Sequence, residues 1–130
     1  RQGLLAKFKS LLNPGGRVLL DVYSLNTFDR KETSATYERN QLNGFWSPDE
    51  YYGFVNTFKY EQEKILLDKY TIIEAARTRV VYNWLQCFSR KTLTAEFEGS
   101  GIEVEAVFAD VSGKPYSPDS AEMAIVAREM

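Results

Sequence analysis

The side chains best suited to hold a small ligand are aromatic residues in the middle of the chain. Trp and Tyr combine an apolar ring with a polar tip, which can orient a small molecule or a cationic methyl centre. Such rings are also common because β-strands favour them. The sequence predicts a substrate-binding set of four aromatic residues with one amide as a polar anchor: Trp46, Asn56, Tyr60, Tyr82 and Trp84.

His and Cys, which carry much of the known acid–base and nucleophilic chemistry, are nearly absent, and no two of the 18 Asp and Glu residues stand out as a catalytic pair. The chain of 130 residues contains no His and only one Cys, Cys87, so Ser-His-Asp triads, Cys-His pairs, imidazole metal sites and Cys-rich zinc sites are excluded. We expect Cys87 to be a packed thiol. Asp21, Tyr23 and Ser24 end a predicted strand, where α/β sheets bind ligands, although Asp21 could equally cap the next turn. No catalytic, cofactor-binding or metal-binding residue is assigned.

Composition limits the class of protein further. The 16 Lys and Arg residues against 18 Asp and Glu give a net charge of −2, which argues against a nucleic-acid partner. A hydrophobic content of 44% is enough for the core of a folded domain. No apolar run reaches about 18 residues, so no membrane partner is expected. A lone Cys suits a reducing compartment, which predicts a cytoplasmic location.

The first 24 residues predict a helix, a tight turn and a strand. Apolar residues recur at helical spacing from Leu4 to Leu12, and the following Asn-Pro-Gly-Gly stops the helix. That turn is not a phosphate-binding loop, because it lacks a Lys-Ser/Thr pair and precedes the strand. The continuous apolar run over 17–24 predicts a strand that is buried on both faces and has parallel neighbours.

An antiparallel meander is predicted for the middle of the chain. Residues 25–50 are irregular, with a short strand expected at 32–38 and an exposed aromatic turn at 44–48. Two-residue turns at 62–63 and 76–77 would collect most of the aromatic residues on one face. We expect this face to look inward or onto a ligand. The three strands are predicted at about 54–61, 64–74 and 79–87.

The last third of the chain predicts a helix and two strands. Ser89 is expected to cap a helix that runs to Phe97, and the Gly-Ser-Gly over 99–101 should end it. Strands follow at 102–110 and 121–129. No repeat or linker divides the sequence, so residues 1–130 are predicted to form a single domain.

The run LLAKFKSLLNPGGRVLLDV over 4–22 resembles the late helix, the Leu-x-Pro-Gly-Gly turn and the next strand of the class I S-adenosylmethionine-dependent methyltransferases. The later elements agree in order: a meander, a helix, a glycine turn and two terminal strands, which form an antiparallel hairpin in that family. The stretch over 81–89 is similar to the substrate-side insert of small-molecule or uncharacterised bacterial members. The resemblance covers essentially the whole chain.

The resemblance implies an α/β fold that would read as α+β in isolation. It would be the C-terminal half of a Rossmann-like methyltransferase sheet with an inserted antiparallel β-meander at about 32–87. The family holds its cofactor with residues that follow its first four strands, and no position here matches them. S-adenosylmethionine is therefore implied as the cofactor of a longer protein, with its binding half expected upstream of Arg1.

Two functions remain open. The first is the acceptor-side portion of an S-adenosylmethionine-dependent methyltransferase that acts on a small molecule and is inactive without its cofactor half. The alternative is a self-contained α+β domain that binds a small ligand or a partner without catalysis. An encoded upstream strand followed by a glycine-rich turn would favour the first. The strand over 17–24 should leave an open apolar edge, which predicts a homodimer through that edge.

Overall fold

A computed structural model describes all residues from 1 to 130 and divides the chain into two compact units. The first unit comprises Arg1–Asp29 and Cys87–Met130, and the second comprises Arg30–Gln86. No helix of the chain is both long enough and apolar enough to cross a membrane. The elements in chain order are α1 (Gln2–Leu11), β1 (Arg17–Ser24), α2 (Leu25–Arg30), β2 (Ser34–Arg39), α3 (Gln41–Gly44), β3 (Tyr51–Tyr60), β4 (Ile65–Glu74), β5 (Thr78–Phe88), α4 (Arg90–Gly99), β6 (Ile102–Phe108) and β7 (Glu122–Glu129).

Strand β1 is paired fully on one side and barely on the other. It runs antiparallel to β7 along its length, and β7 in turn pairs antiparallel with β6. On its other side only Tyr23 and Ser24 pair, in parallel, with Cys87 and Phe88 at the end of β5. The edge of β1 is therefore open over 17–22, as the sequence predicted, and the two terminal strands form the expected antiparallel pair.

The prediction that β1 is buried on both faces is wrong. Its residues alternate, and Leu19 on one face is 58% exposed while Leu20 on the other packs against the core. Helices α1 and α4 cover only the face that carries Leu20. No helix or strand packs on the face that carries Leu19. The buried core of this unit consists of Leu5, Phe88, Leu93, Phe97, Ile102, Met123, Ile125 and Ala127.

Helix α4 begins where the sequence predicted. The backbone N–H of Thr92 donates to Ser89 Oγ at 3.0 Å, and the N–H of Ser89 donates to Thr92 Oγ1 at 3.1 Å. This reciprocal cap satisfies two backbone donors at the helix start. The chain then reverses at Gly101, whose φ of +73° suits glycine, and a Cβ there would lie 2.6 Å from Lys9 Nζ.

The second unit contains the four-stranded antiparallel sheet β2-β3-β4-β5. Tyr60 lies opposite Ile65, which is the register that the predicted turn at 62–63 requires. The next turn lies at 75–76, because Ile73 lies opposite Thr78, so the second predicted register is wrong by two residues. A shift of two leaves each side chain on the same face, and the predicted division of residues between faces therefore holds.

The face that collects most of the aromatic residues was predicted to look inward or onto a ligand, and it does not look inward. The other face is the buried one, and the connection between β2 and β3 folds over it. Tyr51 from this face donates its hydroxyl to the carbonyl of Gln41 in α3. Gln41 also packs directly on Gly53, where a Cβ would lie 2.4 Å from Gln41 Oε1. The connection between β2 and β3, which the sequence predicted to be irregular, thus determines which face of the sheet is buried.

Helix α2 was not predicted, because its six residues show no helical periodicity. Tertiary contacts hold it in the first unit instead. Asn26 donates to the carbonyl of Asp119, and Thr27 Oγ1 donates to the carbonyl of Ala121 at 2.7 Å. Phe28 is fully buried and anchors the turn.

Replacing Glu105 by Gln should make the first unit less stable at neutral pH but not in acid. Arg17 Nε donates to Glu105 Oε2 at 2.5 Å, and this hydrogen bond lowers the pKa of the Glu105 carboxyl below its ordinary 4.5. A lowered folded pKa gives stability that is present above the unfolded pKa and lost as the pH falls through the folded value. Melting temperatures of wild type and Glu105→Gln should therefore differ at pH 7 and converge at low pH.

The control is Glu98→Gln, an exposed carboxylate on α4, whose melting temperature should follow that of wild type throughout. An equal deficit of Glu105→Gln at both ends of the pH range would contradict the assignment, because the ion pair could not then be its cause.

Candidate functional site

Four of the five predicted substrate-binding residues share one face of the second unit. Asn56 and Tyr60 lie on β3, and Tyr82 and Trp84 lie on β5. The register places Asn56 and Tyr82 on either side of Lys69, and the ring centroids of Tyr60 and Trp84 are 5.6 Å apart. We call this surface the aromatic face; its exposed large side chains are Tyr37, Tyr52, Phe54, Phe58, Tyr60, Ile73, Val80, Tyr82 and Trp84.

Trp46 does not join the other four. Its ring centroid lies 5.1 Å from that of Tyr70, which belongs to the opposite face, and its carbonyl accepts a hydrogen bond from Arg79. Phe45 is the exposed ring of the predicted aromatic turn, whereas Trp46 is half-buried. Trp46 Nε1 is buried without a hydrogen-bond partner. The predicted site is therefore divided between two faces, and its role in acceptor binding stays a prediction.

A buried carboxylate that sequence reasoning missed lies on the opposite face. Thr57 Oγ1 donates to Asp68 Oδ1 at 2.6 Å, and Lys31 Nζ lies 3.9 Å from Asp68 Oδ2. Burial raises the pKa of the Tyr70 phenol, and the negative Asp68 raises it further. The signal was available, because the predicted first register already sets Thr57 opposite Asp68.

Two arginines hold the carboxylate of Glu74 at the turn end of the sheet. Arg77 Nε lies 2.6 Å from Glu74 Oε2 and Arg79 Nε lies 3.2 Å from it. The hydrogen bond from Arg77, followed by one from the Ser47 hydroxyl, lowers the pKa of Glu74. A carboxylate held ionised in this way fixes the turn and is poorly suited to donate a proton. A hollow of about 290 Å³ opens beside it, lined by Glu50, Tyr51, Tyr52, Ile73, Glu74 and Ala75.

The residues at the carboxyl end of β1 have different surroundings. Asp21 and Tyr23 lie on the uncovered face and are exposed, whereas Ser24 is buried and donates its hydroxyl to the carbonyl of Ser120. Asn26 and Thr27 tie down the turn that follows, so the turn does not depend on Asp21. The side chains of Asp21 and Tyr23 are thus accessible to a ligand or to another segment that packs on this face.

Cys87 has the surroundings of a packed thiol. It is buried at the end of β5. Burial raises the pKa of its thiol, and the negative charge of Asp29 raises it further. A nucleophilic Cys needs the opposite shift, because the thiolate is the reactive form.

Neither the hollow of the first unit nor the acidic side chains suggest another centre. A groove of about 750 Å³ in the first unit is lined by α1 and α4, where Arg1 and Glu96 form an ion pair at 2.9 Å. No three His, Cys, Asp or Glu side chains come together in a group that could hold a metal ion.

Solved structures provide the comparison that decides the fold. The CcbJ methyltransferase of Streptomyces caelestis matches 98% of this chain and 49% of its own, with a TM-score of 0.71 and 17% identity. An S-adenosylmethionine-dependent methyltransferase of Clostridium acetobutylicum matches 98% of this chain and 50% of its own, with a TM-score of 0.74 and 7% identity. CalS10, an amino pentose methyltransferase of Micromonospora echinaspora with bound S-adenosylmethionine, matches 99% and 50% with a TM-score of 0.54 and 15% identity.

The chain has a methyltransferase fold. It spans about half the length of the methyltransferases that it matches. The resemblance drawn from the sequence is therefore confirmed at the level of fold, as is the mixed α/β class. No protein-family model matches the sequence, and no curated relative does either.

Removing the Asp68 carboxylate from this half of a methyltransferase fold should destabilise the second unit. Asp68→Ala leaves the buried Thr57 hydroxyl without its acceptor and Lys31 without its counter-charge, so the free energy of unfolding should fall by about 1–3 kcal/mol. Urea denaturation would measure the loss. The same substitution should lower the pKa of Tyr70, because the neighbouring negative charge is gone.

The matched control for Asp68→Ala is the double variant Thr57→Val with Asp68→Leu. Replacing both hydrogen-bond partners by apolar groups of similar shape avoids an unsatisfied buried donor and should cost less than the single change. A single variant as stable as wild type would show that the Thr57–Asp68 pair does not support the fold.

Proposed function

We propose that this chain is the acceptor-side portion of an S-adenosylmethionine-dependent methyltransferase that acts on a small molecule. The observation that carries the proposal is the incomplete sheet of the first unit. Strand β1 has an open edge over 17–22 and an uncovered face on which Leu19 is exposed. A strand of this apolar composition belongs inside an α/β sheet with helices on both faces. The cofactor half of a methyltransferase would provide the missing strands and helices.

The solved relatives support the cofactor and the class of acceptor. One of them was solved with S-adenosylmethionine bound and is described as acting on an amino pentose. By this proposal the complete protein uses the same cofactor, and its acceptor is likewise a small molecule. Cys87 is the only Cys, and a lone Cys that has no partner for a disulfide within the chain suits the proposed cytoplasmic location.

The division of work between the two halves follows from the residues present. S-adenosylmethionine, when bound, would supply an electrophilic methyl group. The residues of this chain would hold the acceptor so that its nucleophilic atom faces that group, and such positioning accounts for much of the rate gain in reactions between two bound molecules. We assign no cofactor ligand to this chain, and we propose that it transfers no methyl group by itself.

The rival function is a self-contained α+β domain that binds a small ligand or a partner. The aromatic face favours it, because this surface is exposed and rich in rings. The open edge of β1 disfavours it, because a self-contained domain has no reason to leave one edge of an apolar strand unpaired.

Calorimetric titration of S-adenosylmethionine should distinguish the two functions. We expect binding to the chain extended by its encoded upstream segment and none to the 130-residue chain, because the cofactor ligands lie outside it. Binding to neither form would favour the self-contained domain. Binding to the short chain would overturn the division into halves.

A charge placed at Leu19 tests the same proposal without any ligand. Leu19→Lys should change the unfolding free energy of the 130-residue chain by less than about 0.5 kcal/mol, because Leu19 is exposed there. In the extended chain it should cost at least about 2 kcal/mol, because the upstream half would bury the unpaired charge.

Urea denaturation of both lengths would measure the two effects. Val111→Lys, at an exposed loop position, is the control and should be neutral in both lengths. Equal small effects of Leu19→Lys in the two lengths would mean that the upstream segment does not cover β1.

A further inference from the structure

The aromatic face is a second uncovered surface, and it belongs to the other unit of the chain. Its nine large side chains are each between 37% and 69% exposed, and seven of them are aromatic. Several rings are already fixed against one another. Tyr37 stacks on Phe54 with centroids 5.4 Å apart, and Tyr60 contacts Trp84 at 5.6 Å. Rings that are held in place lose little freedom when another surface covers them.

The area of this face matches that of a protein interface. An aromatic side chain covers roughly 150–250 Å² when buried, so seven that are half exposed leave on the order of 700 Å². The largest apolar patch of an ordinary monomer covers roughly 300–600 Å². A stable interface of standard size takes about 800 Å² from each partner. The aromatic face therefore exceeds an ordinary patch and approaches one side of a dimer interface.

The charge on this face also fits an interface core. The strands place only two charged side chains on it, Arg39 and Lys69, and no carboxylate. Arg39 is already paired with Glu50 at the end of the sheet. Interface cores are depleted of charge and enriched in Tyr, Trp and Phe. Apart from these two cations the face carries no charge that would select a partner of a different kind, and an aromatic surface of low charge is complementary to itself.

The shape of the surface favours a second sheet over a small ligand. Small molecules bind in concave pockets. The hollow of about 290 Å³ that reaches this face is lined by Tyr52 and Ile73 of the face, and by none of the predicted acceptor residues. Two sheets, by contrast, pack face to face about 10 Å apart with their side chains interdigitated. Twofold dimers use the same patch on both copies.

We infer that the aromatic face is covered by the aromatic face of a second copy of this chain, which makes the protein a homodimer through the sheets of its second units. This contact differs from the dimer predicted through the open edge of β1. It depends only on residues of the second unit and holds whether or not the protein is a methyltransferase.

Sedimentation equilibrium of the 130-residue chain tests the inference. The wild type should be a dimer, and Trp84→Lys and Tyr82→Lys should each weaken the dimer by at least about 30-fold, because a truncated aromatic anchor in an interface core costs that much. Both side chains are more than half exposed in the single chain, so each variant should remain folded and keep the circular dichroism spectrum of the wild type. Added salt should leave the wild-type dimer intact, because few charges lie in the contact.

Leu19→Lys is the control, because it places the same charge on the exposed face of β1. It should leave the dimer unchanged. A wild type that stays monomeric up to about 100 μM would overturn the inference. So would a dimer that Leu19→Lys disrupts and the two aromatic variants do not, since that result assigns the contact to β1. An upstream-extended chain that is monomeric would show that the cofactor half covers this face, which also overturns the inference.

Discussion

The structure depends on one constraint: a central apolar strand needs cover on both faces and a partner strand on each edge. Strand β1 meets only half of it. Helices α1 and α4 cover the face that carries Leu20, and β7 pairs with one edge, while the face that carries Leu19 and the edge over 17–22 remain open. The apolar side chains of β1 are typical of a central strand, but here β1 lacks the partner strand and the cover that a central strand has. The proposal of a missing half follows from this mismatch between composition and surroundings.

The second unit covers one face of its sheet by a different route. Its chain folds the connection between β2 and β3 over one face, and that cover is partly polar. Gln41 packs on Gly53, and Asp68 is buried with Thr57 as hydrogen-bond donor. Polar cover of this kind is stable only when its groups are paired, which Asp68 achieves and Gln41 Oε1 does not. The more apolar face is left outside, so this unit is stable through contacts that its hydropathy pattern alone would not select.

This choice of face explains how far the sequence predicts the structure. The helix before the Pro-Gly-Gly turn, strand β1, the Ser89 cap and the side-chain alternation of the meander all follow from local patterns, and the structure confirms them. The orientation of the meander and the single-sided burial of β1 do not follow. A strand's own residues indicate that a face needs cover, but not whether the cover comes from the same chain, another segment or another molecule. Trp46 shows the same limit, because an irregular segment placed it on the face opposite Trp84.

The two uncovered surfaces call for different occupants. The open edge of β1 presents unpaired backbone N–H and C=O groups, and only another strand can satisfy them in a regular way. The aromatic face spans β2 to β5. Its middle strands, β3 and β4, are already paired on both sides, so most of this surface needs apolar contact and no hydrogen bonds. A Rossmann-like half offers a strand and helices and therefore fits the first surface. A second copy of an aromatic sheet face with few charges offers area without backbone pairing and therefore fits the second. If the second copy covered β1 instead, the backbone groups of β1 would stay unpaired. The need for backbone hydrogen bonds therefore distinguishes the two surfaces better than hydrophobicity does.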